Sequence, residues 1–327
     1  ATSNTTSPTA AATASATPRA RITVTQYYST DTATVVSTAS TKSVVVAISG
    51  AGSVSTASDG TLAGPSVSVS AGSSTDGVSN FYVYSNGVSG VGTITISVNG
   101  TLVSTKTVTF YGSLASYSVV ASKTNIGVGE TGTLTVSGLD SLGNAATLGT
   151  VNATSATTTV ATVTSTDTSG VITVTGVAPG TSVITLANAT SSATVTKTLT
   201  VTVSKVSAAS VALSFDKTEY AAGEKMTITV TALDSNGAGV ADGSRDLFSA
   251  AGITSNVALQ GASWTASATV AVVAGKKTYT AYAPLVAGPI SVMATQGAAL
   301  DAVIAGGTAA VVTASATVLT DGVAQAA

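Results

Sequence analysis

The sequence lacks cysteine and histidine altogether, and both absences remove classes of function. Without cysteine the chain can form no disulfide, no thiolate metal site and no thiol nucleophile, which fits an exported bacterial protein better than a secreted animal one. Without histidine, the Ser-His and Cys-His arrangements of nucleophilic catalysis are excluded. The S-x-x-K match at residues 214–217 has strand and turn surroundings and none of its usual companion motifs, so we interpret it as chance. We therefore expect no enzymatic activity.

Charge is also scarce, at 8% of residues with a formal net charge of −2. The few lysines and arginines form no basic stripe, which makes nucleic acid an improbable partner. Apolar residues are interleaved with threonine and serine, and no run approaches the roughly 18 apolar residues of a membrane-spanning helix. The chain begins at Ala1 rather than Met and has no basic-then-apolar leader, so we expect an extracellular protein whose signal peptide has been removed.

Polar and apolar residues alternate along most of the chain, as in RITVTQY, TLTVSGL and MTITVTAL. Alternation with a period of two places one side of each segment in a core and leaves threonine or serine on the other side. Gly, Asn, Asp and Ser interrupt these segments about every eight to twelve residues, a spacing typical of a β-sandwich. The pattern predicts an all-β protein.

One stretch occurs twice without a gap. Residues 122–144 match residues 216–238 at a constant offset of 94 (216 − 122 = 94). The positions in step include the pairs Lys123/Lys217, Gly129/Gly223, Glu130/Glu224, Asp140/Asp234 and Gly143/Gly237. A match that covers a strand and both flanking turns indicates a repeated domain.

A second pattern occurs three times, in residues 92–112, 180–204 and 288–319. Each copy starts with glycine, continues as an alternating strand, turns and returns, which predicts a hairpin at the end of each domain. The predicted domains are therefore 19–116, 117–207 and 208–327. Residues 1–18, rich in Ser, Thr, Ala and Pro, have no periodic apolar face, so we expect either a flexible linker or an extended segment held by a neighbouring copy.

The middle domain carries GETGTLTV at 129–136, DSLG at 140–143, VATV at 160–163 and GVITVTGVAPGTSVIT at 170–185. This series resembles the bacterial group-2 immunoglobulin-like domain, although the tryptophan that often precedes V-A-T-V is absent. The third domain is a more distant relative, most similar over 215–237, and the first is similar in its last hairpin alone. The resemblance implies three tandem immunoglobulin-like sandwiches, as in bacterial surface-layer proteins, adhesins, intimin-like proteins and bacteriophage virion proteins, where such domains space, brace or bind.

Asp234, Asp242 and Asp246 form the densest acidic stretch and are the candidate metal ligands, with calcium as the ion that oxygen ligands favour. The alternative, which we favour, is structural. Asp234 would cap an Asx-turn, Asp242 with Gly243 would close a hairpin, and Asp246 would pair with Arg245 or a neighbouring strand. Glu130 and Glu224 are likewise expected to bond turn backbone.

Aromatic residues are scarce, at 4% of the chain, and their grouping provides the candidate interface. Alternation places Phe81 on the face opposite to Tyr82 and Tyr84, so one set is core and the other exposed. Exposed tyrosine suits a subunit contact or a sugar platform, with core packing or edge protection as the alternative. Trp264 is expected in the core of the third domain. The candidate interface residues are Tyr27, Tyr28, Tyr82, Tyr84, Tyr279 and Tyr282.

Together these features predict a non-enzymatic extracellular structural protein, a surface-layer or sheath-like subunit of a bacterial cell that assembles into a homo-oligomer or array. The alternative from a different class is an adhesin or stalk that binds glycans or another surface protein. A bacteriophage decoration or tail protein is the third hypothesis.

Overall fold

A computed structural model describes residues 8–26, 42–164, 166–301 and 308–320. These residues contain 27 β-strands, which confirms the predicted all-β class. Among the same residues, no helix has the length and apolar character needed to cross a membrane. The chain forms two compact units. Unit 1 comprises Ala1–Ser118 and Ser137–Gly149, and unit 2 comprises Val119–Val136 and Thr150–Ala327.

The strands fall into three groups along the chain. The first group, in unit 1, consists of β1 (Thr9–Ala11), β2 (Ala20–Thr25), β3 (Val44–Gly50), β4 (Ser53–Ser55), β5 (Ser66–Val69), β6 (Val78–Tyr84), β7 (Gly90–Val98) and β8 (Thr101–Tyr111). The second group is shared between the units and consists of β9 (Ser116–Ala121), β10 (Asn125–Gly127), β11 (Thr131–Leu139), β12 (Ala145–Ala146), β13 (Val151–Ser155), β14 (Ala161–Val163), β15 (Thr166–Asp167), β16 (Val171–Gly176), β17 (Gly180–Ala187) and β18 (Thr196–Ser204).

The third group lies wholly in unit 2. It consists of β19 (Ser210–Phe215), β20 (Glu219–Tyr220), β21 (Lys225–Leu233), β22 (Gly243–Asp246), β23 (Thr254–Ser255), β24 (Thr269–Val272), β25 (Lys276–Tyr282), β26 (Gly288–Thr295) and β27 (Val311–Val318). The division into domains at residues 117 and 208 stays a prediction.

The three groups share a common pattern of strand pairing, to which the third adds a two-stranded sheet, β22-β24. In the second group, one sheet has the order β10-β18-β17-β13-β15, and in the other sheet β11 lies between β9 and the run β16-β14. This order corresponds to the G-F-C and A-B-E-D sheets of an immunoglobulin sandwich. The first group has the equivalent sheets β1-β8-β7-β3-β5 and β2-β6-β4, and the third has β20-β27-β26-β23 and β19-β21-β25. The first group therefore repeats the second in most of its topology, whereas the sequence indicated similarity in the last hairpin alone.

All three predicted hairpins are present, as β7–β8, β17–β18 and β26–β27. Gly180 and Gly288 begin the second and third hairpins at φ of 145° and 148°, values that favour glycine. In the first hairpin the equivalent residue is Gly90, with φ of 133°, and not Gly92. Gly90 pairs with Phe110 of β8, as Gly180 pairs with Val203 of β18. The first hairpin thus begins two residues earlier than the sequence pattern indicated.

Alternation decides which side chains enter the cores. Along β11 the buried residues are Gly132, Leu134, Val136 and Gly138, and along β21 they are Met226, Ile228, Val230 and Ala232. In the first group, Val46 and Ile94 from one sheet and Phe81 and Val83 from the other share one buried cluster, so the core lies between the two sheets. Burial of these apolar surfaces is the main favourable contribution to folding.

The N-terminal segment is part of the first sheet. Thr9–Ala11 form β1, which runs parallel to β8 with Ala10 opposite Phe110. The backbone N–H of Ala12 donates to the carbonyl of Tyr111 at 2.7 Å, and Ala12 is buried. For residues 8–12 the expectation of a linker or of a neighbouring copy is therefore corrected, because these residues pair with the chain's own last hairpin strand. The same parallel contact recurs as β10 with β18 and β20 with β27.

Candidate functional site

A polar arrangement in unit 2 lies where the second and third strand groups meet, and we call it the joint. It contains Lys123, Asn125, Glu130, Asp242 and Arg245. Asn125 lies in β10 and is buried, while Asp242 immediately precedes β22 and is 7% exposed. The backbone N–H of Asp242 donates to the carbonyl of Asn125 at 3.0 Å, so main chain bonds main chain across the joint.

The side chains of Asp242 and Asn125 also form hydrogen bonds across the joint. Asp242 Oδ2 accepts the N–H of Thr124 at 2.5 Å, and its Oδ1 accepts the N–H of Ala274 at 2.6 Å. Asn125 Nδ2 donates to the carbonyl of Gly239 and to Ser204 Oγ, both at 3.1 Å. A buried polar group that loses its partner costs free energy, so these bonds oppose separation of the two strand groups.

Glu130 lies at the edge of the joint between two cations. Arg245 holds it with two hydrogen bonds, Nη1 to Oε1 at 2.9 Å and Nη2 to Oε2 at 3.2 Å. Lys123 Nζ donates to Oε2 at 2.8 Å. The guanidinium is itself oriented by the carbonyls of Ala241 and Asp242. Hydrogen bonds from Arg245, followed by those from Lys123, lower the pKa of Glu130 to about 2.

The repeated aspartates form a second recurring feature. Each one caps a turn and also accepts a backbone N–H from the segment that leads into its strand group. In unit 2, Asp234 Oδ1 accepts the N–H groups of Asn236 and Ala238, and Oδ2 accepts the N–H of Lys205 at 3.3 Å. In unit 1, Asp140 makes the equivalent bonds to Leu142 and Asn144, and its Oδ2 accepts the N–H of Gly112 at 2.9 Å. The bond from Gly112 is the main cause of the lowered pKa of Asp140.

The structure does not gather the three predicted metal ligands around one point. Asp234 caps its Asx-turn, as the structural alternative holds, and Asp246 accepts a bond from Thr269 Oγ1 on the neighbouring strand β24 at 2.6 Å. Asp242 crosses the joint instead of closing a hairpin with Gly243. Within the described ranges, no three acidic side chains lie close enough to hold a metal ion. Calcium binding stays an untested prediction.

The two repeated glutamates differ in what they bind. Glu224 accepts the turn N–H of Ala221 at 2.9 Å, as expected, and also pairs with Lys217. Glu130 bonds side-chain cations, which corrects the expectation that it bonds turn backbone. The lysine that each glutamate contacts, Lys123 or Lys217, is among the positions that match at the offset of 94.

The candidate interface tyrosines do not form one surface. Tyr84 is 1% exposed, and its hydroxyl donates to the carbonyl of Ala57 and accepts the N–H of Gly60, so the expectation that it lies at the surface is corrected. The physical reason is that the loop after β4 covers the end of β6. Tyr82 lies on the same face of β6 as Tyr84 and is half-buried. Tyr27 and Tyr28 lie outside the described residues.

Tyr279 and Tyr282 lie on opposite sides of β25. Tyr282 is exposed, whereas Tyr279 is half-buried and meets Trp264 edge to face at a centroid distance of 6.2 Å. Trp264 packs against the core of the third group from its edge and does not fill it. The two rings help to line a cavity of about 110 Å³ whose floor includes Phe248 and Val270. Lys277 Nζ lies 5.7 Å from the Tyr279 ring centroid.

Sequence reasoning missed Arg245 and Asn125 as joint residues. The sequence pattern indicated Arg245 as a partner for Asp246, and Asn125 belongs to no recognisable motif. The available signal was the repeated Lys-Glu pair, because a glutamate in step with a lysine seven positions earlier predicts an ion pair in both copies. Nothing local to residue 245 indicates a partner 115 positions away.

The chain is similar in structure to several solved proteins. No protein-family model matches the chain, and no curated protein matches it. The chain is similar to the Escherichia coli adhesin FdeC, with 19% identity over 85% of this chain and 94% of that chain, at a TM-score of 0.31.

It is also similar to domains 4 and 5 of the S-layer protein SbsC, with 29% identity over 36% of this chain and 66% of that chain, at a TM-score of 0.25. A further similarity is to invasin, a bacterial integrin-binding protein, with 14% identity over 94% of this chain and 58% of that chain, at a TM-score of 0.28. TM-scores of this size establish no shared function, and fold alone does not imply one.

Proposed function

We propose that the protein is a non-enzymatic extracellular structural protein, a surface-layer or sheath-like subunit of a bacterial cell that assembles through its immunoglobulin-like sandwiches. The observation that carries the proposal is the joint in unit 2, where a bidentate Arg245–Glu130 contact and buried Asn125 and Asp242 fix one strand group against the next. Such a fixed connection gives the chain a defined shape, which a subunit of an array needs.

The outer faces of the sheets support the same role. Cross-strand threonine pairs recur on the hairpins, as Thr93 with Thr107 and Thr181 with Thr202. These side chains are half-buried or exposed, carry no charge and can both donate and accept hydrogen bonds. Surfaces of this kind can approach one another without electrostatic repulsion, which suits close packing of identical subunits.

The test is the assembly state of the purified chain. We expect ordered sheets, tubes or large oligomers in negative-stain electron microscopy, and an early-eluting species in size-exclusion chromatography, over a series of salt and calcium concentrations. The same series in the presence of a chelator distinguishes calcium-dependent from calcium-independent assembly. A lone monomer under every condition would contradict the proposal.

The cavity beside Trp264 and Tyr279 favours a second candidate, an adhesin or stalk that binds a glycan. Aromatic rings at the mouth of a polar-rimmed cavity can stack against the apolar face of a sugar. A glycan array probed with the wild type and with Trp264→Ala should show a specific signal that the variant loses, while Tyr82→Ala, which lies in unit 1, should keep it. An array without a specific signal would remove this candidate.

A further inference from the structure

The loop of residues 57–63 carries an exposed leucine in an unusual backbone conformation. Leu62 has φ of 59° and is 85% exposed. In the described part of the chain, the other residues with positive φ, glycine apart, are small or polar, namely Asn99, Ser192 and Ala274. Bulky side chains rarely adopt a left-handed φ, because Cβ then lies too close to the following carbonyl oxygen. The conformation therefore costs free energy that Leu62 does not recover by burial in its own chain.

Hydrogen bonds hold the loop that carries Leu62. Ser55 Oγ donates to the carbonyl of Thr61 at 2.5 Å. The N–H of Gly60 donates to the hydroxyl of Tyr84 at 3.0 Å, and Tyr84 is buried. Because the loop is already ordered, docking of its leucine would cost little further conformational entropy.

The cavity beside Trp264 and Tyr279 has the size of a leucine side chain. Its volume is about 110 Å³, and its floor includes Phe248 and Val270. An apolar cavity of about 150 Å³ holds benzene, which has six carbon atoms, so the smaller cavity suits the four carbon atoms of a leucine side chain. Leu62 is exposed, so it does not fill the cavity of its own chain.

Opposite charges lie beside the leucine and beside the cavity. Asp59 is exposed, and its Oδ1 accepts the N–H of Thr61, the residue before Leu62, at 2.9 Å. Lys277 lies on the same side of β25 as Tyr279, with Nζ 5.7 Å from the ring centroid. None of the ion pairs among the described residues involves Asp59 or Lys277. The two surfaces are therefore complementary in charge as well as in size.

We propose that the chain assembles by inserting Leu62 of one copy into the cavity beside Trp264 of a second copy, with Asp59 facing Lys277. This inference rests on the proposed array and names the contact that builds it. The loop and the cavity are different surfaces, so each copy can insert its loop into one neighbour and accept the loop of another. Such a heterologous contact repeats from copy to copy.

The test measures the monomer fraction of the full chain over a concentration series by sedimentation velocity. Leu62→Gly removes the side chain at a φ that glycine adopts freely, so thermal unfolding should show no loss of stability. The variant should raise the concentration needed for assembly at least about tenfold, the effect of losing a buried anchor. Trp264→Ala, which opens the cavity, should do the same. Leu285→Ala is the matched control, because Leu285 is 83% exposed, and it should assemble as the wild type does.

A second set of variants tests the charges. Lys277→Glu should weaken assembly by about twofold to fivefold at low salt, since an exposed ion pair contributes modestly. Asp59→Asn keeps an acceptor for Thr61 and should restore assembly in the Lys277→Glu chain, because it removes the repulsion. Lys276→Glu, on the opposite side of β25, is the control and should have no effect.

Mixing the two deficient chains tests whether the contact is heterologous. Leu62→Gly keeps an intact cavity and Trp264→Ala keeps an intact loop, so together they should form a complex of two copies that cannot grow. Assembly that persists in either single variant, or a mixture that stays monomeric, would overturn the proposal and leave the proposed function standing. A wild-type chain that is monomeric at every concentration would contradict both.

Discussion

At the scale of single residues, Glu130 shows how a repeated side chain acquires a second role. Its pairing with Lys123 has a counterpart in Glu224 with Lys217, so that pair belongs to the repeat. The bidentate contact with Arg245 is additional, and a planar guanidinium suits it better than an ammonium group would. Isolated surface ion pairs contribute little, so the partly buried guanidinium is what makes this pair matter.

The lowered pKa of Glu130 predicts a stability change in acid. Its folded-state pKa is about 2, below the ordinary value near 4.3, so the contribution is complete above about pH 5 and declines as the pH falls towards 2. Glu130→Gln should therefore be less stable than wild type at pH 7 by roughly 1 kcal/mol, allowing for solvent screening, and the difference should shrink below pH 4. Urea unfolding of both proteins at several pH values measures this difference in the free energy of unfolding.

The control for this experiment is Glu219→Gln, a glutamate on the exposed side of β20. It removes the same charge without touching the joint. Equal pH dependence in the two variants would show that Arg245 does not hold Glu130 in solution.

Asp234 carries the second prediction at this scale. Asp234 is 3% exposed and its carboxylate accepts three backbone N–H groups, so Asp234→Ala leaves those donors without their partner. We expect a loss of about 1–3 kcal/mol in the free energy of unfolding. Asp246→Ala removes an exposed carboxylate with one threonine partner and should cost about 0.5 kcal/mol or less. Similar losses in both variants would contradict the role given to the Asp234 turn.

At the scale of elements, the short parallel strand recurs in every group, and in the first group it is β1. Ala12 follows β1 directly and is 5% exposed beside the core. Ala12→Asp would bury a charge without a partner, and we expect a loss of roughly 2–4 kcal/mol. Thr9→Asp, at the exposed end of β1, is the matched control and should change stability little. Thermal unfolding of both variants makes the comparison, and an unaffected Ala12→Asp would place residues 8–12 outside the sheet in solution.

The elements also show where sequence reasoning succeeds. The offset of 94 reproduces the bounds of β11 and β21, and the glycines of the flanking turns, Gly129 and Gly223, have φ of 77° and 75°. Alternation and turn chemistry are local, so they can be read from sequence. The sequence predicted similarity between the first and second groups in the last hairpin alone. The strands of the first group pair in the same order as those of the second, but they lack the motif residues. Gly92, for example, was interpreted as the start of a hairpin that begins at Gly90.

At the scale of the molecule, the joint predicts a fixed orientation of the second and third groups within unit 2. Because the chain has no cysteine, spin labels can be attached at Thr135→Cys and Ser214→Cys alone. Pulsed electron spin resonance should then give one narrow distribution of the distance between them, because main-chain and side-chain hydrogen bonds cross the joint together. Adding Arg245→Lys should broaden it, since lysine cannot reproduce the bidentate contact. Arg21→Lys, in unit 1, should leave it unchanged. A broad distribution in the parent chain would remove the argument for a rigid subunit.

The sequence by itself determined the all-β class, the repeated strand-turn unit, the three hairpins and the turn role of Asp234. These follow from the period-two pattern and from the backbone preferences of Gly, Asp and Asn, which act over a few residues. The tertiary structure decided that Asp242 crosses the joint, that Arg245 holds Glu130 and that Tyr84 is buried. Each of these depends on which surfaces the folded sheets and loops bring together. No local pattern encodes the contacts of Asp242 and Arg245 with residues more than a hundred positions away, or the loop that covers Tyr84.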